Sequence, residues 1–169
     1  MVFEDPLGKS KAPLAFIPYI NGLTSKDFEN KSKINSLNFG GDVKVPVGNS
    51  LNLDLTLNPD FSQVEVDDQV VNLTRFEIRL PEKRQFFIQN SDLFTNYGDS
   101  RDGRPFFSRR IGVAKDLEGN NIQNKIIAGA RLSGKIDENW RIGFLHMVTD
   151  EDIKNLIPSN NNTVFSLQK

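Results

Sequence analysis

The chain has no cysteine among its 169 residues and only one histidine, His146. The absence of cysteine excludes disulfide bonds, thiolate metal sites and cysteine nucleophiles. A single histidine excludes a cluster of histidine ligands, and a Ser-His-Asp triad would have to use His146. His146 falls on the apolar side of an alternating stretch near a strand end, which favours an interfacial position over catalysis.

The chain also lacks an excess of either charge and lacks long hydrophobic runs. The net charge is −1, so no basic excess indicates a nucleic-acid partner. No 18-residue apolar run is present, which excludes a transmembrane helix. The N-terminus lacks the basic, apolar and small-residue order of a signal peptide. A mean hydropathy of −0.42 is typical of a water-soluble chain, but it also fits a membrane barrel with a polar interior.

Strict alternation of apolar and polar residues dominates what is present. Residues 36–47 place Leu37, Phe39 and three valines on one side, and residues 51–57 place four leucines on one side. The turn residues 48–50 separate the two stretches, which predicts a β-hairpin. In this hairpin Leu53 faces the apolar side and Asp54 the opposite, polar side.

A second hairpin is predicted over residues 124–149. Residues 126–136 place Ile126, Ala128 and Leu132 on one side, and residues 140–148 place Trp140 and Phe144 on one side, with 137–139 as the turn. Residues 14–20 and 163–169 have the same character and predict two further strands.

The lengths of the connections alternate as well. Short turns follow Val47 and Ile136, whereas long polar connections follow Ile20, Leu57 and Val148. Short turns at one end and long loops at the other are typical of an up-and-down outer-membrane β-barrel. Glycines inside the strand patterns, and Trp140 and Tyr19 near strand ends, agree with that interpretation. A soluble antiparallel sheet or sandwich alternates equally well and stays open as the alternative.

The segment 58–123 is too long for an ordinary loop and carries many charges and phenylalanines, so we expect it to fold as a plug or cap. Its charged residues predict an internal network of arginines and carboxylates. The candidate network comprises Asp60, Glu65, Asp67, Asp68, Arg75, Glu77, Arg79, Glu82, Lys83, Arg84, Arg104, Arg109 and Arg110. Solvated carboxylates, a calcium site at Asp60–Asp68 and anion binding by Arg109 and Arg110 are the weaker alternatives. We expect no catalytic residue, no metal and no cofactor.

The residues that extend from Leu55 to Phe94, followed by "RPFFSRRIG" at 104–112, resemble the signature of the domain of unknown function 5916. The resemblance runs from about Pro13 to Val148. Gln85 and Asn90 stand where that family tends to have proline and glycine. The family consists of Gram-negative barrel proteins and commonly follows a carbohydrate-binding family 9-like domain. The resemblance therefore implies an outer-membrane barrel with an N-terminal module, and it implies no known activity.

Together these observations predict the organisation of the chain. Residues 1–12 are a linker from an upstream module, and residues 13–169 are a partial barrel with 58–123 as plug, cap or extracellular insertion. Since about eight strands are needed to close such a barrel, the six counted here are expected to be part of a larger one. The predicted function is transport or surface assembly in the outer membrane of a Gram-negative bacterium, without enzymatic activity. Membrane lipid is the expected partner, with glycans or other outer-membrane proteins as further candidates. The alternative is a carbohydrate-binding or glycan-hydrolase-associated β-domain.

Overall fold

A computed structural model describes residues 13–27, 32–59, 82–98, 103, 105–119 and 121–169. In chain order its elements are β1 (Ala15–Asp27), β2 (Ser32–Val47), β3 (Leu51–Leu57), α1 (Gln85–Ile88), α2 (Asp92–Thr95), a 3₁₀ turn (Ser108–Arg110), β4 (Val113–Lys115), β5 (Asn121–Gln123), β6 (Ile126–Lys135), β7 (Arg141–Thr149) and β8 (Asn160–Gln168). Within the described residues, no helix is long and apolar enough to span a membrane.

Six strands form one antiparallel sheet in the order β1-β2-β3-β6-β7-β8, and β4 pairs with β5 in a separate two-stranded sheet. The predicted all-β, antiparallel, up-and-down order is therefore confirmed. Among the described strands, β1 and β8 form the two edges and do not pair with each other. The sheet as described is thus open and does not form a closed barrel.

Both predicted hairpins are confirmed. Val47 pairs with Leu51 across the first turn, where Gly48 adopts φ +64°, a conformation that glycine enters without steric cost. Lys135 pairs with Arg141 across the second turn. These two turns lie at the same end of the sheet, called the short-turn end below. The opposite end, where β7 connects to β8 through residues 150–159, is the long-loop end.

The β1–β2 strand pair is longer than the sequence predicts. Residues 21–33 were expected to form a long polar connection, but β1 continues to Asp27 and β2 begins at Ser32, with these two residues paired. Backbone hydrogen bonds between strands do not require an apolar side chain. Alternation therefore fails to detect a strand where polar residues occupy both sides.

Two side chains lie on the opposite side of the sheet from the one expected. A register shift between Ile126 and Ala128 turns Ile126 to the other face, where it is buried. A bulge of this kind inserts one residue and reverses the alternation. Tyr19 was expected among outward-facing aromatics, but it shares its face with Gly40 and its hydroxyl donates to Asn58 O at 3.0 Å.

The two faces of the sheet differ in polarity and in burial. The polar face carries Asp54, Thr56, Arg131, Ser133 and Ser166, all of which are buried. The apolar face carries the leucines of β3 together with Val43, Phe144 and Phe165, and no residue of this face is buried in the described strands. On β3, β6 and β7 the chain therefore covers the polar face, which there also carries the apolar Leu145 and Met147, whereas Ile17 on the same face of β1 is exposed.

Residues 82–98 and 105–112, called the cap segment below, provide that cover. The buried apolar cluster comprises Phe87, Leu93, Phe94 and Ile111 from the cap segment and Ile126, Leu145 and Met147 from the sheet. Phe86, Phe106 and Val164 pack against this cluster. A compact hydrophobic core thus joins the cap segment to β6, β7 and β8.

Candidate functional site: the covered polar face

A row of charged residues crosses three neighbouring strands of the polar face. The sheet register places Lys44 beside Asp54 and Asp54 beside Arg131. Arg131 Nη2 donates to Asp54 Oδ2 at 2.6 Å, and Arg131 Nε donates to the same oxygen at 3.2 Å. Lys44 Nζ lies 3.8 Å from the other oxygen of Asp54. The local alternation of each strand creates this row, because it turns all three charged residues to one side.

Arg131 also holds the cap segment. Its Nη1 donates to the carbonyl oxygens of Phe86 and of Gln89, the latter at 2.7 Å. Its guanidinium carbon lies 5.2 Å from the centre of the Phe86 ring. With 1% of its surface exposed, Arg131 is fully desolvated. Such a cation is stable only when its donors are matched, and here a carboxylate and two carbonyls match them.

A neighbouring contact fixes the same part of the cap segment. Asn90 Nδ2 donates to Ser133 Oγ at 3.0 Å. Asn90 has φ +51°, a left-handed conformation that asparagine tolerates better than most residues other than glycine. The family that the sequence resembles tends to have glycine at this position. The positive φ of Asn90 is a conformation that suits glycine.

A second ion pair ties the two arms of the cap segment together. Arg84 Nε and Nη2 each donate to a carboxylate oxygen of Glu82 at 2.8 Å. Arg84 also donates to the carbonyl oxygens of Ser108 and Ile111, both at 2.6 Å. The hydroxyl of Ser108 donates to Glu82 Oε2 at 2.5 Å. Residues 82–84 and 108–111 thus form one closed hydrogen-bonded unit.

The ionisation of Glu82 reflects these contacts. Burial alone would raise its pKa, but the hydrogen bonds and positive charge of Arg84, with the hydroxyl of Ser108, outweigh burial and lower the pKa. The carboxylate is consequently held in its charged form.

At the short-turn end the cap segment contacts β7 through Asp92. Arg141 Nη1 donates to Asp92 Oδ2 at 2.5 Å and to Gln168 Oε1 at 3.0 Å. The hydrogen bond from Arg141 lowers the pKa of Asp92. At the long-loop end, the backbone N–H of Asn124 donates to Gly112 O at 2.8 Å. The cap segment therefore extends along the whole length of β6 and β7.

Glycines in the sheet allow large side chains to approach the backbone closely. A Cβ atom at Gly143 would lie 3.0 Å from two ring carbons of Phe94 and 2.7 Å from Ser166 Oγ. A Cβ atom at Gly129 would overlap with Met147 Sδ. The sequence predicted close approach or curvature at these glycines, and close approach is what the structure shows.

Five residues of the predicted charge network lie in the described part of the chain. Glu82 and Arg84 form the ion pair above, and Lys83 is exposed. Arg109 is half-buried, which lowers its pKa by desolvation, and Arg110 is exposed. The other members, Asp60, Glu65, Asp67, Asp68, Arg75, Glu77, Arg79 and Arg104, lie outside the described residues. Pairing of Arg109 and Arg110 with those carboxylates stays a prediction.

The charge network predicted from the sequence does not include the central members of the site. Arg131, Asp54, Lys44 and Asp92 all lie outside the predicted network, although each is a charged residue on the polar side of a strand or in the cap segment. A charge on the same side in three adjacent strands was the available signal. In the described part of the chain, no three histidine or acidic side chains are grouped as metal ligands.

The comparison with protein families agrees with the resemblance noted in the sequence. The model of "Domain of unknown function (DUF5916)" matches residues 11–166. The chain belongs to this family. The DUF5916 match includes all eight strands except the last residues of β8. No curated protein and no solved structure matches the chain significantly.

Proposed function

We propose that this DUF5916 chain forms part of an outer-membrane β-barrel, with its apolar face against lipid and its cap segment filling the interior. The observation that carries the proposal is the inverted polarity of the sheet. Phe39 is 59% exposed and Phe165 is 65% exposed, whereas Arg131 is 1% exposed. Soluble antiparallel sheets bury the apolar face and leave the polar face to water. Membrane barrels have the opposite arrangement.

The extent of the exposed face supports lipid as the medium that covers it. Large exposed apolar residues occur on β1, β2, β3 and β8, including Ile20, Leu37, Leu57 and Leu167. Contiguous apolar surface on this scale is rare on soluble monomers and marks an interaction surface. On β2 the apolar residues run from Leu37 to Val47, which spans about 33 Å along a strand and is sufficient for a tilted crossing of an apolar band about 25 Å high.

The contacts of the cap segment support its role as a plug. The interior of a membrane barrel is polar, and a segment placed there must match the ions that it meets. Arg131 with Asp54, and Arg141 with Asp92, provide such matches between the sheet and the cap segment. A plug held in this way closes the interior, so the proposed role is transport or surface assembly by a gated barrel. Because every backbone group in lipid must be hydrogen-bonded, the proposal requires further strands to pair with β1 and β8.

Two leucine substitutions test the proposal. Leu55, on the apolar face, and Leu117, in the turn between β4 and β5, are both exposed. In a lipid-facing sheet, Leu55→Arg costs about 2–4 kcal/mol, whereas Leu117→Arg has little effect. The full-length protein is produced in a Gram-negative cell, and its recovery in the outer-membrane fraction and its heat-modifiable migration are measured.

We expect the unmodified protein and Leu117→Arg to require detergent for extraction, and Leu55→Arg to assemble poorly. The proposal fails if the protein is recovered in the aqueous fraction without detergent and both variants behave alike. That result would favour the carbohydrate-associated soluble β-domain.

A further inference from the structure

The register of the sheet shows which residues of the apolar face share a row perpendicular to the strands. One such row, called the Leu55 row, runs from β1 to β8 through Phe16, Val43, Leu55, Ala130, His146 and Thr163. The row is apolar at its β1 side. At its β8 side it is polar, and His146 Nδ1 lies 2.8 Å from Thr163 Oγ1.

On the apolar face, the limit between apolar and polar residues therefore crosses the rows obliquely, because it lies nearer the short-turn end on β8 than on β2. On β8 the apolar residues stop at Phe165, before the Leu55 row is reached. On β2 they continue beyond the row through Phe39 to Leu37, and the next outward residue is Asn35. Val148 lies one row closer to the long-loop end than His146 and is an apolar residue on the polar side of this limit.

The slope of this limit has the size expected for a tilted membrane barrel. On β1 the outward residues Gly22 and Thr24 follow Ile20, and they lie about 20 and 26 Å beyond Phe16 along the strand. Strands in such barrels are tilted by about 35–45°, and neighbouring strands are about 4.8 Å apart. Five strand spacings separate β8 from β1. A plane parallel to the membrane therefore crosses β1 about 17–24 Å farther along the strand direction than it crosses β8.

The ends of the strands are offset in the same direction. At the long-loop end, β8 begins at Asn160, which pairs with Thr149, whereas β1 extends to Asp27. At the short-turn end, β1 begins at Ala15, which pairs with Lys44, three residues before β2 ends at Val47. The positions of the strand ends and the polarity of the outward residues thus indicate independently that the limit moves toward the long-loop end from β8 to β1.

We infer that the plane of the bilayer crosses this sheet along the oblique limit, with His146 and Thr163 at the long-loop surface of the membrane and Leu55 in its interior. This inference rests on the proposed function and specifies the lipid-contact surface. The Leu55 row then runs from the hydrocarbon at Phe16 and Leu55 to the long-loop surface at Thr163. A row parallel to the membrane would place all three residues at one depth.

The absence of cysteine makes this geometry measurable with single-cysteine variants. Phe16→Cys, Leu55→Cys and Thr163→Cys are labelled with a nitroxide in the full-length protein, which is reconstituted in phosphatidylcholine vesicles. Accessibility to oxygen and to a water-soluble nickel complex reports the depth of each label. Asn38→Cys, at an exposed position of the polar face of β2, is the control without lipid contact, and Ala130→Cys replaces Leu55→Cys if the latter does not assemble.

We expect Phe16 and Leu55 both to be deeper than Thr163, with Phe16 and Thr163 separated in height by about 14–17 Å for the stated tilt and spacing. Equal depth for all three labels would overturn the oblique orientation while leaving the lipid-facing sheet intact. Labels that are no more accessible to oxygen in lipid than Asn38→Cys would instead overturn the proposed function, and the orientation with it.

Discussion

Arg131 and Asp54, 77 positions apart in the chain, form a buried ion pair whose Nη2 and Oδ2 atoms lie 2.6 Å apart. The same guanidinium donates to the carbonyl oxygens of Phe86 and Gln89 in the cap segment. One side chain thus joins two strands of the sheet to the segment that covers them. The integrity of the covered face depends on this residue more than on any surface ion pair.

Removing one partner of this pair is predicted to be strongly destabilising. Arg131→Met leaves the Asp54 carboxylate buried without its main partner, which costs about 3–5 kcal/mol. Arg141→Met removes an ion pair whose partners are partly exposed and is expected to cost at most about 1 kcal/mol. Urea unfolding of the detergent-solubilised protein measures both. The double variant Asp54→Leu/Arg131→Met should recover part of the loss, and equal effects of the two single variants would contradict the assignment.

The lowered pKa of Glu82 predicts a loss of stability in acid. Because the folded pKa of Glu82 lies below its ordinary value of 4.5, the contribution of the carboxylate to stability is complete well above pH 4.5 and is lost as the pH falls through the folded pKa. Unfolding followed between pH 3 and 6, a range chosen around that value, should show a smaller pH dependence for Glu82→Gln than for the unmodified protein. Glu151→Gln, at an exposed site, serves as control and should leave the dependence unchanged.

The contact between Gly143 and Phe94 predicts a steric effect. A methyl group at residue 143 would press on the Phe94 ring, so Gly143→Ala is expected to cost about 1–3 kcal/mol. At Gly22 the nearest atom lies 3.9 Å from the position of such a methyl group, and Gly22→Ala should have little effect. Thermal unfolding of the two variants compares them. A tolerated Gly143→Ala would mean that the cap segment does not press against β7 there.

If the cap segment closes a barrel, conductance should be low and should depend on Arg131. Planar-bilayer recordings of the unmodified protein are expected to show little current, and deletion of residues 85–95 should raise it. Arg131→Met should increase the frequency of openings, because it releases the carbonyl oxygens of Phe86 and Gln89. Arg141→Met provides the comparison at the short-turn end. An unmodified protein that conducts like an open pore would contradict this prediction.

The sequence by itself determined the strands and their faces where one side is apolar. Alternation with period two is a local property, so Leu53 and Asp54 could be assigned to opposite faces and the hairpins around residues 48–50 and 137–139 could be recognised. The extension of β1 to Asp27 could not, because hydrogen-bonded strands with polar residues on both sides have no such period.

Only the tertiary structure decided what each face meets. Nothing local in the sequence brings Arg131 to Asp54 and the cap segment, or Arg84 to Ser108, because these contacts join distant parts of the chain. The bulge that turns Ile126 inward is equally invisible, since a single inserted residue reverses the alternation without changing the residue types. The sequence gives each strand an apolar and a polar side, and long-range packing decides which side the chain covers.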